Sequence, residues 1–389
     1  MDNQLFDRLS AKFRKHFGQH PAVAAYAPGR VEVLGNHTDY NEGYVLSAAI
    51  NMGTFFLAAP SPDSKCRLVA SDIDAEAVFD STSRSPEKQN TWSNYVKGVF
   101  SGLQQRATSP KGFLGMFEGN LPLGAGLSSS AALEMSSGVA LAKLYKMDVP
   151  KLDLARIGQK AEHEFAGVKC GLLDQISSLF GKDDQLVMSD FRTLDVKNVP
   201  IGNDVCFLMC NTKAKHALVD GAYNERRAKC EEAAAFFRTV LSHKVTHLRD
   251  VSWAEWQEHH SKMDPGAAKR SAHVIGENTR VLKGKELLGS GLIEDFGKLM
   301  FESHESSISN FENSCPELDF LVSTARKTRG VLGARLSGGG FGGSIVALVH
   351  PRDSETITTS LNDAYCRHFG HNCDIRVIKP SAGALEVKI

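Results

Sequence analysis

The 389-residue sequence has no net charge, 45 basic side chains being balanced by 45 acidic ones. Nothing global therefore draws the chain to nucleic acid or to an anionic membrane surface, and small-molecule chemistry is the default. No apolar run approaches the roughly 18 residues that cross a bilayer. The start, Met1 to His20, lacks the apolar core of a signal peptide; Leu5, Leu9, Phe13 and Phe17 recur at helical spacing among charges, so a cytoplasmic location is expected. Eight cysteines lie between Cys66 and Cys373 without a C-x-x-C pair, which removes the sequence case for a zinc site or a disulfide framework. Cys206 and Cys210 are the closest in sequence, and their even spacing beside Val205 to Met209 puts both on one face of a core strand. Internal repeats and low-complexity segments are also missing.

Several nucleotide and metal signatures fail on inspection. Gly338, Gly340 and Gly343 satisfy G-x-G-x-x-G, but a β-branched apolar run follows where a dinucleotide fold needs a helix. Asp295-Phe296-Gly297 spells a protein-kinase motif inside a helical pattern, with no catalytic loop before it. His163-Glu164 lacks the second histidine of a zinc protease, the position being Gly167, and no Gly-Lys pair is followed by Ser or Thr.

What is present starts with Leu121 to Glu134, Leu-Pro-Leu-Gly-Ala-Gly-Leu-Ser-Ser-Ser-Ala-Ala-Leu-Glu, between a strand-like run and a helical pattern from Ala131 to Tyr145. A glycine-rich turn opening a helix is a ready anion site. Its serines are placed to cap free N–H groups, the helix dipole favours negative charge, and Gly124 and Gly126 let backbone approach a phosphate. A length of 389 residues fits two domains of roughly 200 residues.

Strands are expected at Val23 to Ala27, Val31 to Leu34, Thr54 to Ala59, Arg67 to Ser71, Ala77 to Phe79, Leu186 to Asp190, Val205 to Cys210, Ala334 to Leu336 and Ser344 to Val349. Helices are expected over Trp92 to Leu103, Lys151 to Phe165, Gly171 to Phe180, Tyr223 to Leu241, Ala268 to Leu288 and Gly291 to Asn310. This mixed order indicates an α+β fold. The domain change is placed near Pro200 to Asp204, giving domains 1–203 and 204–380, with a last strand at Leu385 to Lys388 returning 381–389 to the first.

Three blocks stay unexplained by packing: the polar turn from Arg30 to Gly43, the Gly-Ser stretch, and the glycine run from Gly338 to Gly343. In that order they resemble the three motifs of the GHMP small-molecule kinases. Gly29-Arg30-Val31-Glu32-Val33-Leu34-Gly35-Asn36-His37-Thr38-Asp39-Tyr40 is similar to the galactokinase signature G-R-V-N-L-I-G-E-H-T-D-Y, and the likeness continues through Trp92 to Gly98, Ala161 to Gly167, Cys170 to Gln175, Tyr223 to Arg227 and Ser314 to Asp319.

The resemblance implies a two-domain GHMP-kinase fold, with a ribosomal-protein-S5-like first domain, a ferredoxin-like second one and the site in the cleft between them. It implies a monomer that phosphorylates the C1 hydroxyl of D-galactose with ATP and Mg²⁺. Gly124, Ala125, Gly126, Leu127, Ser128, Ser129 and Ser130 would cradle the nucleotide phosphates, with Trp92 and Tyr95 around adenine. As isolated residues these aromatics read more often as core. Ser130 and Glu162 would hold Mg²⁺, although Glu162 alone reads as a solvated helix face.

Asp174 would be the base for the sugar hydroxyl, or orient it, with Arg30 stabilising charge in the transition state. A buried structural ion pair would have the same geometry. Asn36, His37, Thr38, Asp39 and Tyr223 would bind the sugar.

The sequence departs at two places. Asn36 stands where the family usually has a glutamate reaching the C6 hydroxyl, and Glu32 where it usually has asparagine. Strand geometry puts positions 32 and 36 roughly 13 Å apart, so Glu32 is not expected to substitute. Loss of that carboxylate opens an alternative, a kinase for a galacto-configured sugar altered at C6 such as galacturonate. A second alternative is a non-catalytic sugar and nucleotide sensor, which the complete serine loop argues against.

Overall fold

A computed structural model describes residues 2–106, 111–122, 124–215 and 219–389; Leu123 of the glycine-serine stretch lies outside the described residues. The chain begins with helix α1 (Asn3–Phe17), opened by the Asp2 carboxylate accepting from the Leu5 amide and closed by Gly18 in the left-handed region. There follow strands β1 (Val23–Leu34), β2 (Tyr44–Pro60), β3 (Lys65–Ala70) and β4 (Ala75–Asp80), helix α2 (Asn94–Gln104) and β5 (Phe113–Gly119). Helices α3 (Ser129–Leu144), α4 (Lys151–Ala161) and α5 (Leu173–Phe180) precede β6 (Gln185–Asp190) and β7 (Asp195–Pro200).

These strands form one sheet, and Ala25, Phe56 and Phe117 on one face bury the helix pairs α2–α5 while Tyr26, Phe55 and Met116 on the other receive Leu5, Leu9 and Phe13 of α1. The two faces follow from alternation over residues 24–27 of β1 and 55–59 of β2.

The second half runs through β8 (Cys206–Lys215), α6 (Val219–Val240), α7 (Trp253–His259), α8 (Pro265–Gly289), α9 (Ile293–Ser306), α10 (Pro316–Lys327), β9 (Val331–Ser337), β10 (Gly342–Val349), α11 (Ser354–Phe369), β11 (Asp374–Ile378) and β12 (Leu385–Val387). Its sheet has the order β11-β8-β10-β9, all antiparallel. Cys206, Leu208 and Cys210 face α10 and α11, whereas Phe207 and Met209 meet Val31, Val33 and Leu46 of the first sheet in a shared core. The expected single face for Cys206 and Cys210 is thus a core face. β12 leaves the second half and pairs antiparallel with β1.

Three expectations fail locally. Pro28-Gly29 does not end a strand: β1 runs through it, with register shifts after Pro28 and after Glu32. The helix expected to Phe165 ends at Ala161, and one π turn from Glu162 to Ala166 follows. That turn sends Glu162 inward, where it is 4% exposed, instead of onto a solvated face. Periodicity gave no warning of β7, α7, α10, α11 or β11. No described helix is long and apolar enough to cross a membrane.

Candidate active site

Two adjoining cavities, of about 760 and 540 Å³, share Arg30, Asp174, Gly338 and Gly339 in their walls. Arg30 comes from β1 just after its bulge, where its amide bonds the Leu127 carbonyl at 3.1 Å. Asp174 lies in the first turn of α5. The two side chains meet: Arg30 Nε and Nη2 donate to Asp174 Oδ1 at 2.8 and 2.6 Å, and Arg30 Nη1 donates to the Gly126 carbonyl at 2.7 Å. Such a planar fork fixes the carboxylate and the glycine loop together.

The smaller cavity is floored by the glycine loop. Gly124 and Gly126 both have positive φ, which lets the loop present its backbone outward. Ala125 and Leu127 are buried among core residues, so they anchor the loop and only their backbone is available to a ligand. The expectation that a serine hydroxyl caps α3 fails. Ser128 is the N-cap residue, but it sits in the left-handed region, and its hydroxyl donates to Asp174 Oδ2 instead. The N-terminus of α3 is left without a side-chain cap, which suits an incoming anion. Ser129 and Ser130 open the helix.

Ser130 reaches the Glu162 carboxylate by hydrogen bond, and Cys170 Sγ donates to Glu162 Oε2 at 2.5 Å. Burial and the Asp174 carboxylate push Glu162 above its ordinary range, and burial with Glu162 and Asp174 does the same to Glu134. A hydroxyl and crowded carboxylates fit a hard divalent cation. Among the described residues no three His, Cys, Asp or Glu side chains close round a metal; Mg²⁺ in phosphoryl transfer is ordinarily held by one or two protein oxygens. Trp92 and Tyr95 line neither cavity; both are partly buried against the first core, Trp92 beside Phe117.

The larger cavity carries Asn36, His37, Asp39 and Tyr223 in its wall. His37 is fixed from both sides, by Tyr40 Oη at 2.9 Å and the Gly339 carbonyl at 3.1 Å, and burial lowers its pKa to about 4, so it is neutral at pH 7. Burial and the neighbouring Glu32 and Asp174 carboxylates raise Asp39 to about 6. Thr38 lines neither cavity: its buried hydroxyl is shared between the Gly35 and Tyr44 carbonyls and shapes the turn.

The largest correction concerns positions 32 and 36. Asn36 Nδ2 donates to Glu32 Oε1 at 2.8 Å, because β1 ends at Leu34 and the chain turns back at Gly35, whose φ is 100°. The extended-strand distance therefore does not apply, and Glu32 stands in the cavity wall. It pairs with the wholly buried Arg335 at 3.0 Å. Burial raises the Glu32 carboxyl above its ordinary range, and Arg335, Arg30 and the Asn36 amide offset only part of that rise.

The sequence reading also missed Glu277 of α8, whose Oε2 accepts the Gly35 and Asn36 amides at 2.9 and 3.0 Å. In sequence its only sign is an i,i+3 pair with Arg280, which looks like any surface pair. Burial raises its carboxyl, but Arg280, His273 and Arg335 more than reverse this and hold it well below the usual range.

Comparison with known proteins agrees with this geometry. The galactokinase galactose-binding signature matches residues 11–60, the GHMP kinases N-terminal domain 94–182 and the GHMP kinases C-terminal domain 285–367. A galactokinase of Pasteurella multocida (strain Pm70) is 40% identical, covering 95% of this chain and 96% of its own length. One from Roseiflexus sp. (strain RS-1) is 36% identical, over 96% and 95%. The crystal structure of Lactococcus lactis galactokinase complexed with galactose superposes with a TM-score of 0.92 at 34% identity, covering 98% of this chain and 100% of that one. A mevalonate kinase at 18% identity and a TM-score of 0.65 shares the fold. The chain therefore belongs to the galactokinase family of GHMP kinases.

Proposed function

We propose that this chain transfers the γ-phosphoryl group of ATP to the C1 hydroxyl of D-galactose, giving galactose 1-phosphate and ADP. The observation that carries the reading is the Arg30–Asp174 pair at the junction of the two cavities, one floored by the glycine loop and the other walled by the polar turn. Sugar in the larger cavity and triphosphate in the smaller would meet at that pair. Asp174 orients the C1 hydroxyl and receives its proton as the new O–P bond forms and the bond from the γ-phosphorus to the β,γ-bridging oxygen breaks, the electron pair leaving with ADP. Arg30, held to Asp174 and to the Gly126 carbonyl, stabilises the charge that develops there. Ser130 and Glu162 would hold Mg²⁺, which neutralises phosphate charge when bound.

Galactose as acceptor is supported by the relatives named above and by Asp39, which can accept from two neighbouring hydroxyls once ionised. The galacturonate alternative depended on a pocket without a carboxylate at position 36, and Glu32 beside Asn36 supplies one. No observation favours the sensor alternative, since Arg30, Asp174 and the three serines are all in place.

An ADP-release assay with galactose tests the reading. The native chain should turn over, and Asp174→Asn should lose roughly 10²- to 10⁴-fold in kcat while still gaining thermal stability from galactose. Sugar binding without turnover in the native chain would overturn it in favour of a sensor.

A further inference from the structure

A carboxylate oxygen of Glu32, in the wall of the sugar cavity, accepts no hydrogen bond from the described residues. Asn36 has little to offer a ligand as a donor: its amide hydrogens go to Glu32 Oε1 and to the Gly338 carbonyl, both at 2.8 Å, and its Oδ1 accepts from Asn313 Nδ2 at 3.0 Å. Glu32 differs. Its Oε1 accepts from Asn36 and from Arg335 Nη1, but Oε2 has no partner among the described residues and is not among the buried polar atoms left unsatisfied. Since Glu32 lines the larger cavity, that oxygen opens onto it. Arg335 is wholly buried and permanently charged, which makes Glu32 its counter-ion and fixes the carboxylate.

The position along β1 says which part of a substrate this oxygen meets. Arg30 and Glu32 lie on the same face, in unbroken register from Arg30 opposite Ala49 to Glu32 opposite Ser47, so about 6.6 Å of strand separates them. A sugar whose reacting hydroxyl is at Arg30 and Asp174 therefore presents a different, remote hydroxyl to Glu32.

We propose that Glu32 is a specificity residue of this pocket: its free carboxylate oxygen accepts a hydrogen bond from a sugar hydroxyl remote from the reacting one, with Asn36 and Arg335 as positioning residues. The proposal rests on the sugar-kinase reading above. The carboxylate and amide have exchanged places between positions 32 and 36, yet the turn at Gly35 returns both to one spot, so the pocket keeps its charge from a different backbone position. That charge also repels a substrate carboxylate placed near it, so a uronate is excluded.

The test measures kcat and KM for galactose, for its 2-, 3-, 4- and 6-deoxy analogues and for galacturonate in the native chain, Glu32→Gln and Glu32→Asp. Glu32→Asp keeps the charge beside Arg335 and guards against a failure to fold, which thermal denaturation checks. In the native chain, one deoxy analogue should suffer roughly a 10-fold penalty in kcat/KM that reports a charge-assisted hydrogen bond. In both variants galactose should lose about that factor, mainly in KM, and the penalty for that analogue should vanish. Glu32→Gln alone should gain on galacturonate.

Equal losses on every analogue, or an unchanged deoxy profile, would overturn the proposal, because a purely structural Glu32 weakens all substrates alike. Absence of any native turnover of galactose would instead defeat the kinase reading, so the two failures are distinguishable.

Discussion

Asp39 is the residue whose protonation can be followed. Its carboxyl is raised to about 6 by burial and by Glu32 and Asp174, against about 4 in an unfolded chain. Between those values the folded state holds more proton than the unfolded one. Its contribution to stability therefore falls as pH rises through that window and is level above about 6. Sugar hydroxyls need the ionised form as acceptor, so KM for galactose should fall as pH rises from 5 to 7, and this slope should disappear in Asp39→Asn. A flat native profile would count against Asp39 as a sugar ligand.

Gly171 makes the same side chain sensitive to packing, since a Cβ there would lie 2.0 Å from Asp39 Oδ2. Gly171→Ala should displace the carboxylate and raise KM roughly 10-fold, as for loss of a charged hydrogen bond. A KM within two-fold of native would show that the carboxylate is not needed where it stands. At this scale the sequence was legible where a residue type matched a motif, as at Arg30 and Asp174. It was illegible where the hydroxyl or amide turned out to be committed elsewhere, as with Thr38, Ser128 and Asn36.

Helix α8 is the element that holds the polar turn in shape. Glu277 accepts the Gly35 and Asn36 amides, Asn278 accepts the Tyr44 amide at 2.9 Å, and His273 Nε2 meets the Asn36 carbonyl at 3.2 Å. Both ends of the turn are thus pinned by consecutive residues of one helix roughly 240 residues away in sequence. Glu277 has no exposed surface, and losing its charge leaves Arg280 and two amides poorly satisfied. Glu277→Gln should cost about 3 kcal/mol of stability and raise KM for the sugar with it. Thermal denaturation and steady-state kinetics check this; an unchanged Tm with unchanged KM would show that the turn holds itself. Nothing local marks Glu277, because a helix records its own periodicity and not the loop that another part of the chain lays against it.

The whole molecule closes by bringing its last segment back to its first sheet. Beyond the pairing of β12 with β1, the Ser381 amide bonds the Ala49 carbonyl, Gly383 bonds Gly181, and Ala384 bonds Ser178, all at 2.8 to 2.9 Å. The last two carbonyls belong to the end of α5 and the residue after it, the helix that carries Asp174. Removing residues 381–389 should therefore lower the Tm and also kcat, by loosening α5. Loss of stability with kcat intact at a temperature where the shortened chain is folded would show that α5 is held by its other contacts.

By itself the sequence determined the class of the fold, the strand and helix that flank the glycine loop, and the types of side chain present for phosphoryl transfer. Those depend on periodicity, glycine conformational freedom and functional-group chemistry, which are local. Only the tertiary structure decided that Glu32 and Asn36 share one spot, that Ser128 serves Asp174 and not its helix, and that α8 braces the polar turn. Each of these is set by a change of chain direction or a long-range contact, and spacing along a sequence carries no record of where a turn returns the chain.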